Sequence, residues 1–324
     1  MKVFITRIIP DIALEKIKNA GFEIVQWKEI RELTPEELIE NCQSCDALIS
    51  AGYNRINADF LNSSKHLKVI ALHSVGFDNV DVPQATKLKI PIGNTPGVVS
   101  AATADVAFLL MLATSRKAFF QHQRIIDGDW KFFEPTANLG REMKGKTLGI
   151  FGLGKIGFEL AKLCKAAYNM KIIYHNRTAN TQAEQELGAK KASFDELLKQ
   201  SDIISVHTNL SEETRGKFDK PAFEKMKPSA IFINTSRGGI HNEKDLVDAL
   251  KNKTIWGAGL DVTNPEPMSS DNELLKMPNV CVTPHIGTAT VETRNAMASI
   301  VADNIIAGLR GEKIPYAVNP EVYE

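Results

Sequence analysis

The sequence predicts an α/β protein built on doubly wound parallel sheets, and three features predict it. Short apolar strand-like runs alternate with helix-like runs through the first hundred residues. The alternation resumes near residue 147 and continues to about residue 283. A glycine-rich turn opens the second stretch, where a strand passes into a helix. Such alternation selects a parallel sheet, because each parallel crossover needs a helix to return the chain. With 324 residues, the chain has the length for two domains, each with its own core.

The elements follow in order. Val3–Ile8 is expected as a strand, Asp11–Ala20 as a helix closed by Gly21, and Glu23–Trp27 as a strand. Thr34-Pro35-Glu36-Glu37 has the signature of a helix start, with Thr as N-cap, Pro at the first position and Glu at the third. Strands are expected at Asp46–Ser50, Val69–Leu72 and Ile90–Gly93, with helices at Ala58–Asn62 and from Asp81-Val82-Pro83 to Leu88. Thr95-Pro96-Gly97 then breaks the pattern. From Ser100 to about Gly128 the chain predicts one long helix. Its apolar residues Val106, Leu109, Leu110 and Leu112 cover nearly every face, which predicts a helix buried between layers and crossing into the second domain. Asp127 to Lys146 mixes Gly, Pro, Trp and aromatics without periodicity and suits an arm, a lid or a subunit contact.

The organising stretch is Thr147 to Thr178. Thr147–Phe151 suits a buried strand, Gly152, Gly154 and Gly157 follow with G-x-G-x-x-G spacing, and Lys155–Tyr168 has helical periodicity. Met170–Tyr174 reads as the next strand. In this setting Gly152 permits a tight turn, Gly154 lets backbone approach a pyrophosphate, and Gly157 lets helix pack on strand. The helix N-terminus then holds the anion. A dinucleotide unit of this kind normally ends its second strand on Asp or Glu, which binds the adenine ribose. Here the end reads Tyr174-His175-Asn176-Arg177-Thr178. The acid is missing, and Arg177 can pair with a 2′-phosphate through charge-assisted hydrogen bonds. The stretch therefore points to NADP, with NAD left open.

Further along, helices are expected at Asp195–Lys199, Pro221–Met226, Asn242–Lys251 and Thr290–Leu309. Strands are expected at Ile203–His207, Ala230–Asn234, Ile255–Asp261 and Val280–Thr283. Ligands gather at the carboxyl ends of such strands, and three of those ends carry Arg237, Glu266 and His285. This set suits hydride transfer to a 2-oxo acid. Arg237 can hold the carboxylate and polarise the ketone, and His285 can deliver the proton. Glu266 can bond the other imidazole nitrogen and fix the tautomer. His73 and His207 also end strands and compete with His285 for the proton-donor role, whereas His175 sits at the ribose position.

Composition bounds the remaining classes. Charges balance, 39 Lys and Arg against 39 Asp and Glu, so no large field draws nucleic acid or an anionic membrane. The longest apolar run, Val106 to Ala113, is too short to span a bilayer. The start, MKVFITRIIP, lacks a small-residue cleavage site, and no signal peptide is expected. Four cysteines are too few for a disulfide framework. The Cys42–Cys45 pair has no second ligand pair for a metal and is expected to pack in a core. The setting expected is a reducing cytoplasm.

Five motifs together carry a likeness. They are Ser74-Val75-Gly76-Phe77-Asp78-Asn79-Val80-Asp81, Gly152-Leu153-Gly154-Lys155-Ile156-Gly157, Asn234-Thr235-Ser236-Arg237-Gly238-Gly239, Asn264-Pro265-Glu266-Pro267 and Thr283-Pro284-His285-Ile286-Gly287. Over essentially its whole length the chain resembles the D-isomer-specific 2-hydroxyacid dehydrogenases, the group that contains glyoxylate/hydroxypyruvate reductase and phosphoglycerate dehydrogenase. The resemblance implies two Rossmann-like domains, one flavodoxin-like and one dinucleotide-binding, with a cleft between them, in a homodimer. Residues 1–99 plus 287–324 would form the substrate domain and residues 100–286 the dinucleotide-binding domain. Arg237, Glu266 and His285 would be catalytic, and the backbone of Val75 and Gly76 would bind the substrate carboxylate. Asp261 would contact the nicotinamide carboxamide and Thr103 would lie beside the cofactor. Lys155, Ile156, His175, Asn176, Thr178, Thr208, Thr235, Ser236 and Gly287, together with Arg237 and His285, complete the expected cofactor contacts.

The resemblance has departures. Asn209 stands where many relatives have Pro, and the missing acid at His175 likens the chain to NADPH-using reductases. No regulatory domain follows residue 324, which speaks against a long-form phosphoglycerate dehydrogenase. The expected activity is NADPH-dependent reduction of glyoxylate, hydroxypyruvate and similar small 2-oxo acids to D-2-hydroxy acids. Two other readings stay open: a relative acting on phosphoglycerate, phenylpyruvate or 2-ketogluconate, and a nucleotide-binding corepressor without catalysis.

Overall fold

Val3, Phe4 and Ile5 are fully enclosed, as are Ala47, Leu48 and Ile49 and then Val69, Ile70 and Ala71. Runs buried on successive residues are what a parallel sheet covered on both faces requires. The computed structural model describes all 324 residues, Met1–Glu324, and divides them into two units. The first is Met1–Val99 with Ala289–Glu324, and the second is Ser100–Thr288.

In the first unit, β1 (Lys2–Ile5), α1 (Asp11–Asn19), β2 (Glu23–Gln26), α2 (Pro35–Cys42) and β3 (Ala47–Ser50) lead to α3 (Ala58–Ser63), β4 (Val69–Leu72), α4 (Val82–Lys87) and β5 (Ile92–Gly93). The five strands are all parallel, in the order β2-β1-β3-β4-β5. This is the flavodoxin-like order. Side chains alternate between the two faces. Val3, Ile5, Ile49 and Val69 pack with Ala13 and Ile17 of α1 on one side. Phe4, Leu48, Ile70 and Leu72 pack with Leu38, Phe60 and Leu61 on the other. The capping box at Thr34 forms as its spacing predicts: Glu37 N donates to Thr34 Oγ1, and Glu37 Oε2 accepts from Thr34 N. Cys42 and Cys45 are both buried and unpaired.

The second unit begins with α5 (Ser100–Arg116) and α6 (Ala118–Ile126). The sequence predicted one helix here, and the structure breaks it. Lys117 adopts the left-handed region at φ 55°. The Ser115 carbonyl, which a continuing helix would offer to the amide of Phe119, instead accepts from Arg141 N at 2.8 Å. Gly140 lies so close that an added Cβ would sit 2.2 Å from the Ser115 oxygen. The returning chain therefore ends the helix. Nor is α5 enclosed on every side. Small residues, Ala102, Ala104, Ala107 and Ala113, form its buried face with Leu110 and Met111, while Leu109 is 46% exposed.

Then follow β6 (Thr147–Phe151), α7 (Lys155–Tyr168), β7 (Lys171–His175), α8 (Thr181–Leu187) and β8 (Lys190–Lys191). After these come α9 (Phe194–Gln200), β9 (Ile203–Val206), α10 (Lys220–Lys225), β10 (Ile231–Asn234), α11 (Glu243–Lys251), β11 (Gly257–Leu260) and β12 (Val280–Val282). The seven strands are parallel, in the order β12-β11-β10-β9-β6-β7-β8. Chain direction across the sheet reverses between β6 and β9, the switch point where such sheets bind ligands. Neither α8 nor β8 carries an apolar pattern that announces it. The first is polar with one buried residue, Ala183, and the second is a pair of exposed edge lysines.

The last helix, α12 (Val291–Leu309), returns to the first unit. Ala298, Val301, Ala302 and Ile305 join the core of α1 and β1. Gly308 presses on Val69, where a Cβ would come within 2.5 Å of the valine side chain. No helix is long and apolar enough to cross a membrane.

Candidate active site

The glycine turn sits at the switch point. Gly152 adopts φ 95°, and a Cβ there would lie 2.7 Å from the His207 carbonyl oxygen at the end of β9. Only glycine fits both constraints. A Cβ on Gly157 would meet Ile150 at 2.9 Å, so helix and strand touch. Around Gly154, by contrast, there is open space within 4 Å. Gly154 starts α7 without a side-chain cap, leaving first-turn N–H groups for an anion. The turn is also clamped from outside. Asn176 Oδ1 accepts from Leu153 N at 2.6 Å, and Asn176 Nδ2 donates to Leu153 O at 3.1 Å. Asn180 Nδ2 donates to the same carbonyl at 3.0 Å. The Asn176 amide is thus engaged with the turn's own main chain.

The end of β7 lies beside the turn, where Gly152 N donates to His175 O at 3.1 Å. His175 stacks on Phe151 with ring centroids 5.6 Å apart. Its Nδ1 donates to Ala192 O at 3.0 Å, which fixes the ring. Arg177 and Thr178 are exposed beyond it. Lys191 of the edge strand donates to the Arg177 carbonyl at 3.0 Å, bringing a second cation to the segment.

Three adjacent strand ends carry the other groups. From the end of β10, Asn234 Oδ1 accepts from Ser236 N at 3.0 Å, and Asn234 Nδ2 donates to Arg237 O at 2.9 Å. The Arg237 loop is thereby folded onto its own root. Gly238 lies against the next loop, where a Cβ would fall 1.9 Å from the Thr263 carbonyl oxygen. That next loop, Asn264-Pro265-Glu266-Pro267, is held by Glu243, whose carboxylate accepts from Asn264 N at 3.1 Å and from Asn272 Nδ2 at 2.7 Å. From it Glu266 Oε1 reaches His285 Nδ1 at 2.6 Å.

His285 itself adopts φ 53°. Such a conformation is uncommon for a residue with a side chain and is held by its surroundings. The His285 amide donates to Asp261 O and Thr283 O, both at 3.0 Å. The Asp261 carboxylate accepts from Thr283 Oγ1 at 2.6 Å and from the amides of Ile286 and Gly287 at 2.8 Å each. Asp261 is buried, and that burial raises its pKa, opposed by these hydrogen bonds. Its observed work is to hold the main chain on both sides of the histidine.

The competing histidines differ in kind. Burial lowers the His207 pKa to about 3, and its Nε2 is bonded to Ser205 Oγ at 2.8 Å. Burial, with the charge of Arg294, lowers His73 to about 4. Neither has a carboxylate at its ring, whereas His285 does.

A profile for the D-isomer specific 2-hydroxyacid dehydrogenase NAD binding domain matches residues 108–287. The chain belongs to that family. It is 44% identical to a glyoxylate reductase from Thermococcus litoralis, over 99% of this chain and 97% of that one. Among solved structures, a protein from Thermus thermophilus superposes with a TM-score of 0.92 at 38% identity, covering 98% of this chain and 100% of its own. An NADPH-dependent glyoxylate/hydroxypyruvate reductase from Sinorhizobium meliloti, in complex with NADP and malonate, superposes with a TM-score of 0.84 at 29% identity over 99% and 97% of the two chains.

The dehydrogenase is therefore an oxidoreductase that uses a nicotinamide dinucleotide, and its fold is the family's pair of Rossmann-like sheets. Its second unit fits that cofactor. The space beside Gly154 and the uncapped start of α7 suit the pyrophosphate. Thr235 Oγ1 is buried with no partner in the protein, a polar atom placed for a ligand. Thr103 Oγ1 donates to Gly287 O at 3.1 Å, joining two of the predicted contacts. Thr208 follows His207 directly at the switch point, and Lys155 and Ile156 begin α7. Val75 and Gly76 belong to the first unit, where their carbonyls accept from Asn94 Nδ2 at 2.8 Å and Ser74 Oγ at 2.7 Å. The sequence does not announce the main-chain bonds of Asn234 and Glu243, nor that Asn176, expected as a cofactor contact, spends its amide with Asn180 in clamping the turn. Their partners are main-chain groups of distant loops, and no motif spacing announces those.

Proposed function

We propose that this dehydrogenase reduces small 2-oxo acids, glyoxylate and hydroxypyruvate foremost, to D-2-hydroxy acids with NADPH. The observation that carries the reading is the 2.6 Å bond between His285 Nδ1 and Glu266 Oε1. A carboxylate can only accept, so Nδ1 holds a hydrogen and Nε2 is the nitrogen left to exchange a proton with substrate. The bound nicotinamide supplies the hydride. Arg237 holds the substrate carboxylate and polarises the ketone oxygen, and His285 Nε2 gives its proton to the forming alkoxide. Glu266 keeps the ring in one tautomer and sets a negative charge beside the imidazolium. The Val75 and Gly76 amides are assigned to the substrate carboxylate on the family resemblance.

The cofactor preference rests on His175-Asn176-Arg177, where no acid stands to repel a 2′-phosphate and Arg177 can pair with one. The NADP complex of the Sinorhizobium meliloti reductase supports it, and the Thermococcus litoralis glyoxylate reductase supports the substrate class. Four buried, unpaired cysteines suit a reducing cytoplasm. The chain also pairs with a second copy in this reading. Trp130, Phe132, Phe133 and Leu139 of the arm after α6 are between 63% and 84% exposed, four large apolar side chains within ten residues that a second copy would cover. Light scattering should give the mass of two chains.

The test is product identity. Purified protein given hydroxypyruvate and NADPH should form D-glycerate, and glyoxylate should form glycolate. An L-product would overturn the stereochemical assignment. NADPH binding with no turnover of any 2-oxo acid would favour a sensor or corepressor instead.

A further inference from the structure

Beneath the Arg237 loop stands a histidine that the chemistry above leaves unused. His241 is 1% exposed and its Nε2 has no partner in the protein. An N–H enclosed without a partner is destabilising, so the ring is kept for its other nitrogen. Nδ1 lies 3.0 Å from Asn234 Nδ2.

The remaining partners of Asn234 fix which way its amide faces. Oδ1 accepts from Ser236 N at 3.0 Å and from Ser236 Oγ at 2.9 Å. Nδ2 donates to the Arg237 carbonyl at 2.9 Å. A flipped amide would set oxygen against that carbonyl and hydrogens against the Ser236 amide. Nδ2 therefore spends its second hydrogen on His241, and Nδ1 must be the lone pair of a neutral ring protonated at Nε2. Burial, which lowers the His241 pKa to about 4, keeps the ring in that state.

We propose that His241 is a positioning residue for Arg237, acting through Asn234. The inference rests on the reading of Arg237 as the residue that holds the substrate. One amide, at the root of the loop, ties down Ser236 and Arg237 near its start and His241 just past the short 3-10 turn Gly238–Ile240. The imidazole lone pair occupies the last hydrogen of that amide. Without it the amide is no longer held from behind, and the Arg237 main chain loses a fixed donor.

Three measurements test this. In the wild type, nitrogen NMR of the histidine rings should show His241 neutral, with Nδ1 unprotonated between pH 6 and pH 8. A protonated Nδ1 would overturn the proposal without any variant. His241→Phe should lower kcat/KM for the 2-oxo acid roughly tenfold or more, through both kcat and KM, while NADPH binding without substrate stays near wild type. His241→Gln, which restores an acceptor, should recover most of the loss. A Phe variant with wild-type turnover, or a Gln variant as impaired as Phe, would refute the role. Arg237→Ala separates the two levels. If that variant turns over normally, the functional reading itself fails; if it is impaired while His241→Phe is normal, only this inference fails.

Discussion

His285 combines a main chain at φ 53° with a ring bound to a carboxylate at 2.6 Å. Both features serve one end, an imidazole whose outward nitrogen is held in place. His285→Ala should reduce kcat by roughly 10²–10⁴, the scale of a positioned acid–base group, with NADPH binding retained. Near-normal turnover would remove the assignment. Beyond the end of β7, Arg177→Ala should cost roughly tenfold or more in kcat/KM for NADPH, since hydrogen bonds to charged groups contribute about 1.5–3 kcal/mol. NADH kinetics should change little, and an equal loss for both would refute a 2′-phosphate contact. At this scale the pairing of Glu266 with His285 was legible because an acid and a histidine stand at neighbouring strand ends. The main-chain roles of Asn234, Asn176 and Glu243 were not. An amide or carboxylate bonded to the main chain of a distant loop looks like any surface residue until the chain is folded.

Among the elements, the loops after β10 and β11 act as one piece. Gly238 touches the Thr263 carbonyl, and Glu243 holds the Asn264 amide. Gly238→Ala would drive a methyl to 1.9 Å from a main-chain oxygen, and main chain cannot yield as a flexible side chain can. The variant should lose about 1–3 kcal/mol of stability, and kcat/KM should fall with it, as the Arg237 and Glu266 loops are forced apart. Thermal unfolding beside steady-state kinetics checks both, and an unchanged melting temperature would contradict the close contact. Strands and helices with a strong apolar pattern, such as β4 and α1, were readable almost to the residue. The single long helix expected from residue 100 was not, because what ends it is the Ser115 carbonyl bonding to Arg141, a tertiary contact. The edge strand Lys190–Lys191 has no apolar signal at all, yet it brings Lys191 to Arg177.

For the whole molecule, the enclosed His73 and His241 and the half-buried His207 shape the response to acid. Burial lowers the pKa of His73 and His241 to about 4 and of His207 to about 3. Depressed folded values mean that the unfolded chain takes up these protons first. Their contribution is therefore complete above the unfolded value near pH 6.5 and is lost as pH falls through the folded values. Each adds a slope of about 1.4 kcal/mol per pH unit within that window. Urea midpoints should drop steeply between pH 6.5 and pH 4, and a flat profile would contradict neutral buried rings. The two-sheet architecture was legible from alternation and the glycine turn alone, whereas these three rings were only strand-end or loop residues until burial was known.

Reduction of a 2-oxo acid by NADPH is read out by the ratio of kcat/KM for NADPH to that for NADH, measured with the same saturating 2-oxo acid. Oxidation should depend on the 2-oxo acid and show a ratio of roughly ten or more in favour of NADPH. Equal or better use of NADH, or no oxidation of either cofactor with any 2-oxo acid, would contradict it.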